Sequence, residues 1–403
     1  LTGAGTLVVN GTGTVRLLAD NDYSATYVES GTLQIGKEAG KTGTLGLGPI
    51  VNNGEITIKR DGEVNVMNTV SGTGALRLTG SATASGTSRL TVNVTKALDL
   101  QGEVEIRDAS LVLGGTGSLS KANVLRVQSG GVLDVSAYGN TGYRVVSGQM
   151  LKGNEGQVKG TVLMSGTLAP GNSPGKLTLG GVKFEAGSVF QVEVDQSAGT
   201  HDQIVVDTSL GGSAKAELDG NGTVVFAPIG KVVKSGRYRI LEAPVVSGTF
   251  AGISSAVGMF RPKLVYGATF TDLQLSIAQF EIYGRGANGR ALGAYLDRVG
   301  TGGTTEMRSV VDGLSARNSG EGIGDGLQEI DPSGYANAMS MSRKRAFELG
   351  VSVGERLETL GLTPLGVESG MSEAKGVAGW TAWTSTSVMG MSRSARAEEG
   401  FGG

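Results

Sequence analysis

The sequence predicts a mainly β chain, wound as a parallel β-helix over roughly its first 280 residues, with helices after residue 284. Three observations carry that expectation. A short phrase recurs: a glycine, a small or acidic residue, then apolar positions two apart. Within it apolar and other residues alternate, which is the period of a strand with one buried face. Glycine supplies 69 of 403 residues and aromatic residues only 5%, so the interior must be rows of aliphatic side chains with few rings.

The phrase reads "GTLVV" (5–9), "GTLQIG" (31–36), "GTLGLG" (43–48), "GEITI" (54–58), "GEVNV" (62–66), "GALRL" (74–78), "GEVEI" (102–106), "GVLDV" (131–135) and "GTLAP" (166–170). Pairs such as Leu33/Ile35, Ile56/Ile58, Val64/Val66, Leu76/Leu78 and Val104/Ile106 place two apolar side chains on one strand face. Units of three to five residues cannot bury that face alone, so they must stack. Glycine spacing wanders from about 12 to 29 residues, which argues against a propeller with its fixed blade and fits coils whose corners vary. At roughly 22 residues per turn, about a dozen turns spaced ~4.8 Å apart would make a rod of about 60 Å.

"GTLAPGNSPGKLTLGG" (166–181) interrupts this texture with two Pro-Gly pairs. Proline then glycine suits the central positions of a type II turn, so Ala169–Asn172 and Ser173–Lys176 are expected to turn twice before Leu177 and Leu179 resume a strand. From 180 to 277 the strands lengthen ("VFQVEVD", 189–195; "DQIVVD", 202–207; "GRYRILEA", 236–243; "FTDLQLSI", 270–277), the texture of a cap on a stack. Helical spacing follows in Leu292, Tyr295, Leu296, Val299 and again in Met307, Val310, Val311, Leu314. "LSARNSGEGIGDG" (314–326) reads as a flexible linker. Asp331-Pro332-Ser333 then starts the longest helix, about 334–360, with Tyr335, Met339, Ala346, Leu349, Val353, Leu357 and Leu360 on its apolar side. "GVAGWTAWTSTSV" (376–388) reads as a strand.

The charge balance, 35 basic against 37 acidic residues, gives no electrostatic reason to bind nucleic acid. Cysteine is absent, which suits a large chain crossing an oxidising compartment unfolded. No run approaches the ~18 apolar residues of a membrane helix. Leu1-Thr2-Gly3 reads as mid-strand, so the chain is expected to be an internal fragment with an export signal upstream.

Candidate chemistry weighs against simpler readings. Gly171-Asn172-Ser173-Pro174-Gly175 matches the G-x-S-x-G nucleophile pattern, but that motif requires a helix next, and here a strand follows. Its only histidine partner would be His201. Gly284-Arg285-Gly286-Ala287-Asn288-Gly289, after strand-like "FEIY", resembles a dinucleotide-binding turn that lacks its second parallel strand. Glu103/Glu105 and Glu193/Asp195 place two acids on one strand face, and Asp202/Asp207 lie close in sequence, yet acids on a solvated face are ordinary. Ser342-Arg343-Lys344-Arg345 reads as the polar face of the long helix. No catalytic, cofactor-binding or metal-ligating residue is assigned, and no cofactor is expected.

These residues resemble the bacterial autotransporters of type V secretion. "NDYSATYVESGTLQIG" (21–36) is similar to their strand repeat, with Ala25 and Tyr27 where Gly and Thr are common. "SGTLAPGNSPGKLTLGG" with "GSVFQVEVD" and "DQIVVD" resembles the C-terminal end of many passengers, and "SGRYRILEAPVVSGTFAG" (235–252) the cap that follows. The resemblance implies a right-handed parallel β-helix (solenoid) passenger with a C-terminal cap, then a helical linker and the first strand of a transmembrane β-barrel. The implied divisions are 1–179 passenger repeats, 180–283 an autochaperone-like cap and 284–326 a helical stalk and flexible linker. A pore-helix-like segment (327–375) and the truncated start of the outer-membrane barrel (376–403) complete them. Implied partners are the chain's own translocator barrel, the outer-membrane assembly machinery, periplasmic chaperones, and a host glycan, matrix or cell-surface ligand. Implied location is the outer membrane, with the passenger exposed at the cell surface. By the same analogy Asn318 or Asn337 resembles a cleavage position, but no motif singles one out. The expected role is a structural or adhesive rod without enzymatic activity. The alternatives are a stalk for an N-terminal enzymatic domain, such as a protease, and a glycan-active enzyme on the rod.

Overall fold

In a computed structural model the described residues are 1–359, apart from 83–88, 172–173, 231–234, 256–259, 278, 300–303, 316, 318 and 332. The chain divides into two units, Leu1–Ala278 and Gln279–Gly403.

The first unit is mainly β, with three long and predominantly parallel sheets, compatible with a β-helix. The first sheet holds the strands Thr6–Val9, Ala25–Val28, Ile50–Asn52, Val70–Gly72 and Asp99–Leu100. The second runs through eleven strands in a row, from Thr14–Leu17 by way of Glu55–Lys59, Glu103–Arg107 and Val189–Asp195 to Gly252–Ser255. The third starts at Glu63–Val66 and includes Leu90–Val94, Gly156–Met164, Lys176–Phe184 and Gln203–Val206. The chain alternates between the first and second sheets up to Glu55–Lys59, passes through all three from Glu63 to Leu113, and thereafter moves between the second and third, so most strands pair with the equivalent strand one turn later. Eleven rungs at the ordinary spacing cover about 50 Å, a little under the length expected.

Alternation does what the sequence promised. Glu55–Lys59 and Glu103–Arg107 bury every second residue, and Val189–Asp195 does so over seven. Register then aligns these positions into a column: Leu33, Ile56, Leu76, Val104, Leu125, Leu151, Leu168, Phe190 and Val224. All are buried, each contributing about 1.5–3 kcal/mol.

The recurrent glycine has a cause that lies between turns. Glu55 and Ala75 donate their N–H groups to the carbonyls of Gly31 and Gly54 one turn earlier, both at 2.9 Å. A Cβ on Gly54, Gly74 or Gly102 would stand 2.6, 2.2 or 2.1 Å from the carbonyl oxygen of the preceding glycine in the column. Any side chain there would prise the turns apart.

The first and last described turns of the stack differ. Thr6–Val9 and Thr14–Leu17 each pair on one side only, and Val15 is 39% exposed above a Leu33 that is fully covered. Among the last turns Gly236–Glu242 pairs in parallel with Gln203–Val206 but antiparallel with Phe270–Ile277, which turns back antiparallel onto Phe260–Tyr266. That last strand borders the sheet and carries Pro262 and exposed Lys263, residues that discourage further pairing. Beneath it Phe184, Phe190 and Phe250 cluster with ring centroids 4.9 to 6.0 Å apart. The expected 179/180 division falls inside the continuous strand Lys176–Phe184, so repeats and cap share one unit.

The second unit begins with a 3-10 turn at Phe280–Tyr283, where a strand was expected. Asp297 causes this by accepting the N–H groups of Phe280 (2.7 Å) and Glu281 (3.1 Å). Helices α1 (Gly286–Val299) and α2 (Thr305–Ser315) occupy the segments with helical spacing. Residues 320–330, expected in part as flexible linker, instead form α3 (Gly320–Ile330), so the 326/327 division falls inside a helix. Ser319 caps it by accepting the Gly322 N–H at 3.0 Å, and Ile323 and Leu327, one turn apart, are wholly buried. Helix α4 (Ser333–Thr359) matches the longest expected helix, but Met339, Phe347, Leu349 and Val351 are all exposed, as are Arg343 and Lys344. Leu360, the 376–388 strand and the barrel start lie outside the described residues. No described helix is long and apolar enough to cross a membrane.

Candidate functional site

Several of the sequence's candidate residues converge on the corner that feeds Lys176–Phe184. Gly171 has φ +106°, consistent with the first expected turn, while Asn172 and Ser173 lie outside the described residues. Gly175 lacks the positive φ that a second type II turn requires. Its task is close packing: a Cβ there would meet Gly171 Cα and Asn154 Oδ1, each at 2.5 Å.

Below this corner sits Asp202, 1% exposed. Its Oδ1 accepts the Gly175 N–H at 2.8 Å and its Oδ2 the Glu193 N–H at 2.9 Å. Its own N–H donates to the Glu193 carbonyl at 2.9 Å. Burial pushes the carboxyl up to about 7, against the pull of the two N–H donors; Glu193 adds to the rise and Lys152 opposes it. Asp202 has the same parity as the buried Ile204 and Val206, so alternation in "DQIVVD" already held the signal of an inward acid.

The other candidates are occupied elsewhere. His201 pairs with Val194 across an antiparallel ladder, and its Nε2 lies 3.1 Å from the Arg239 carbonyl oxygen. Asp207 accepts the Ser209 N–H at 2.8 Å and caps the 3-10 turn Thr208–Leu210. Asp195 accepts from the Ser197 hydroxyl and from the N–H groups of Ser197 and Ala198. Gly286 opens α1 after a 3-10 turn, which removes the strand a dinucleotide-binding turn needs. Asn337 falls within α4, and Asn318 lies outside the described residues. Among the described residues no three His, Asp or Glu side chains gather as metal ligands.

Glu103 and Glu105 do share a solvent-side face, but they belong to a charge ladder across neighbouring turns. Arg77 joins Glu55 (2.9 Å) to Glu105, Arg107 adds a second contact to Glu105 (3.2 Å), and Arg126 pairs with Glu103. Burial would raise the Glu103 carboxyl, yet the Arg126 hydrogen bond and charge, helped by Arg77 and Lys152, hold it below its usual range. A depressed value means that this pair supports the fold above the ordinary glutamate range, and that the support fades as pH falls. Arg126→Ala is expected to cost about 1 kcal/mol near neutrality, with the difference from wild type shrinking below about pH 4.3. Urea unfolding at the two pH values measures it.

Neither protein-family models nor curated proteins match this sequence.

Proposed function

We propose that the chain is part of the surface-exposed passenger of a bacterial autotransporter. On this reading it is a structural or adhesive rod, a right-handed parallel β-helix exported through its own outer-membrane β-barrel. The observation that carries the proposal is where the resembling phrase falls. "SGTLAPGNSPGKLTLGG" supplies strands to two parallel sheets, and the stack closes in an antiparallel hairpin soon afterwards, next to the "SGRYRILEAPVVSGTFAG" segment. A capped stack suits a rod that must persist outside a cell. The acids on the Glu103–Arg107 strand are bound to arginines, which favours a rod over a glycan-cleaving groove. Partners on this reading are the translocator barrel, the assembly machinery and chaperones met during export, and a host glycan, matrix or cell-surface ligand.

The test places residues 1–403 between a signal peptide and an autotransporter barrel in a Gram-negative host. Added protease or antibody should reach 1–278 on intact cells. Retention inside cells whose barrel exports a control passenger would reject the proposal. Glycan turnover abolished by a single carboxylate substitution would replace the rod with an enzyme.

A further inference from the structure

Four Asn-Gly pairs occur in the chain: Asn10-Gly11, Asn53-Gly54, Asn221-Gly222 and Asn288-Gly289. An asparagine before a glycine is chemically fragile, because the glycine nitrogen, unshielded by a side chain, can attack the carbonyl carbon of the asparagine side chain. Ring closure needs that nitrogen and that side chain to be free of other partners. The structure withholds this freedom from three of the pairs. Asn10 Nδ2 donates to Glu29 at 2.7 Å, its Oδ1 accepts the Ser30 hydroxyl at 3.1 Å, and the Gly11 N–H donates to the same hydroxyl oxygen at 2.8 Å. Gly54 donates its N–H to the Val28 carbonyl at 3.2 Å, and Asn53 Oδ1 accepts the Thr73 N–H at 3.2 Å. Asn288 and Gly289 lie within α1, whose regular dihedrals must be undone before the two atoms can meet.

Asn221-Gly222 is different. It leaves a tight turn in which the Asn221 N–H donates to the Leu218 carbonyl at 2.8 Å, and Asp219 and Gly220 have φ of +50° and +73°. Among the described residues neither the Asn221 side chain nor the Gly222 N–H has a hydrogen-bond partner, and Asn221 is half-buried. The fold also fixes glycine in the second place. Gly222 has φ +70°, and a Cβ there would meet Ser188 Oγ at 2.7 Å. The residue that permits the attack is therefore one the corner cannot replace.

We propose that Asn221 is a self-modifying site. The Gly222 nitrogen bonds to Asn221 Cγ and gives up its proton; the Cγ–Nδ2 bond breaks, and ammonia leaves with that proton. Solvent water then opens the succinimide at either carbonyl, giving aspartate or isoaspartate. Both products add a negative charge two residues from Asp219, which with Glu217 already engages Lys183. Isoaspartate also inserts a methylene into the main chain. It does so beside two bonds between turns, from the Thr223 N–H to the Ser188 carbonyl and from the Ala251 N–H to the Gly222 carbonyl, both 2.9 Å. Phe184 and its ring cluster pack against the same corner. The converted fraction thus records the age of the folded chain.

Peptide mapping by mass spectrometry tests this on the full chain held in mildly alkaline buffer, with a parallel sample unfolded in urea. Unfolded, the four pairs should convert at similar rates. Folded, Asn221 should convert within about threefold of its unfolded rate, while Asn10, Asn53 and Asn288 should each slow by about tenfold or more, because each must first open locally. Aspartate and isoaspartate should both appear at 221. Slowing of Asn221 as great as that of Asn53 would overturn the proposal. So would aspartate at 221 without isoaspartate, which would mean direct hydrolysis rather than a ring.

Discussion

Phe190→Ala lowers the unfolding free energy by about 3–5 kcal/mol, the cost of emptying a large site in a packed interior. Phe190 is fully buried, stands in register between Leu168 and Val224, and lies 5.9 Å from Phe184 and 6.0 Å from Phe250 between ring centroids. Neighbours held by ladder bonds on both sides cannot collapse into the space. Denaturant unfolding followed by far-ultraviolet circular dichroism measures the loss. Gln191→Ala, on the outward side of the same strand, should change stability by less than about 0.5 kcal/mol. Equal effects from the two variants would mean that the inward column is not the core.

Gly153→Ala is expected to be as severe, for a different reason. Gly153 has φ +149°, and a Cβ there would stand 1.8 Å from the Val127 carbonyl oxygen and within 2.9 Å of two further Val127 backbone atoms. The obstructing atoms are main chain, and Val124–Val127 is tied in parallel register to Met150–Gly153. Relief requires the turns to separate, so the loss is put at about 3–5 kcal/mol, within the range for forced backbone conformations and overpacking combined. A thermal melt within a degree or two of wild type would show that the corner yields easily.

Much of the first unit was legible because its information is local. Alternation in "GEITI" and "GEVEI" reports which side chains point inward, and parallel register simply stacks those reports. The role of the glycines was not legible, because the carbonyl that excludes a Cβ at Gly74 belongs to Gly54, a whole turn away. Residues 320–326 misled for the opposite reason. Glycine-rich composition suggests a linker, yet Ser319 and the Ile323/Leu327 pair suffice for a helix once that face is buried. In the candidate site, Glu103 and Glu105 were correctly placed on one face, but their arginine partners come from other turns. Asp202 could have been read from its parity with Ile204 and Val206; its two main-chain partners, Glu193 and the more distant Gly175, could not, because the fold alone brings them to it.

The closing hairpin has a consequence for association. A strand that would lengthen the third sheet past Phe260–Tyr266 meets Pro262, which has no N–H to offer, and the exposed ammonium of Lys263. That border of the sheet therefore resists recruiting a strand from another chain.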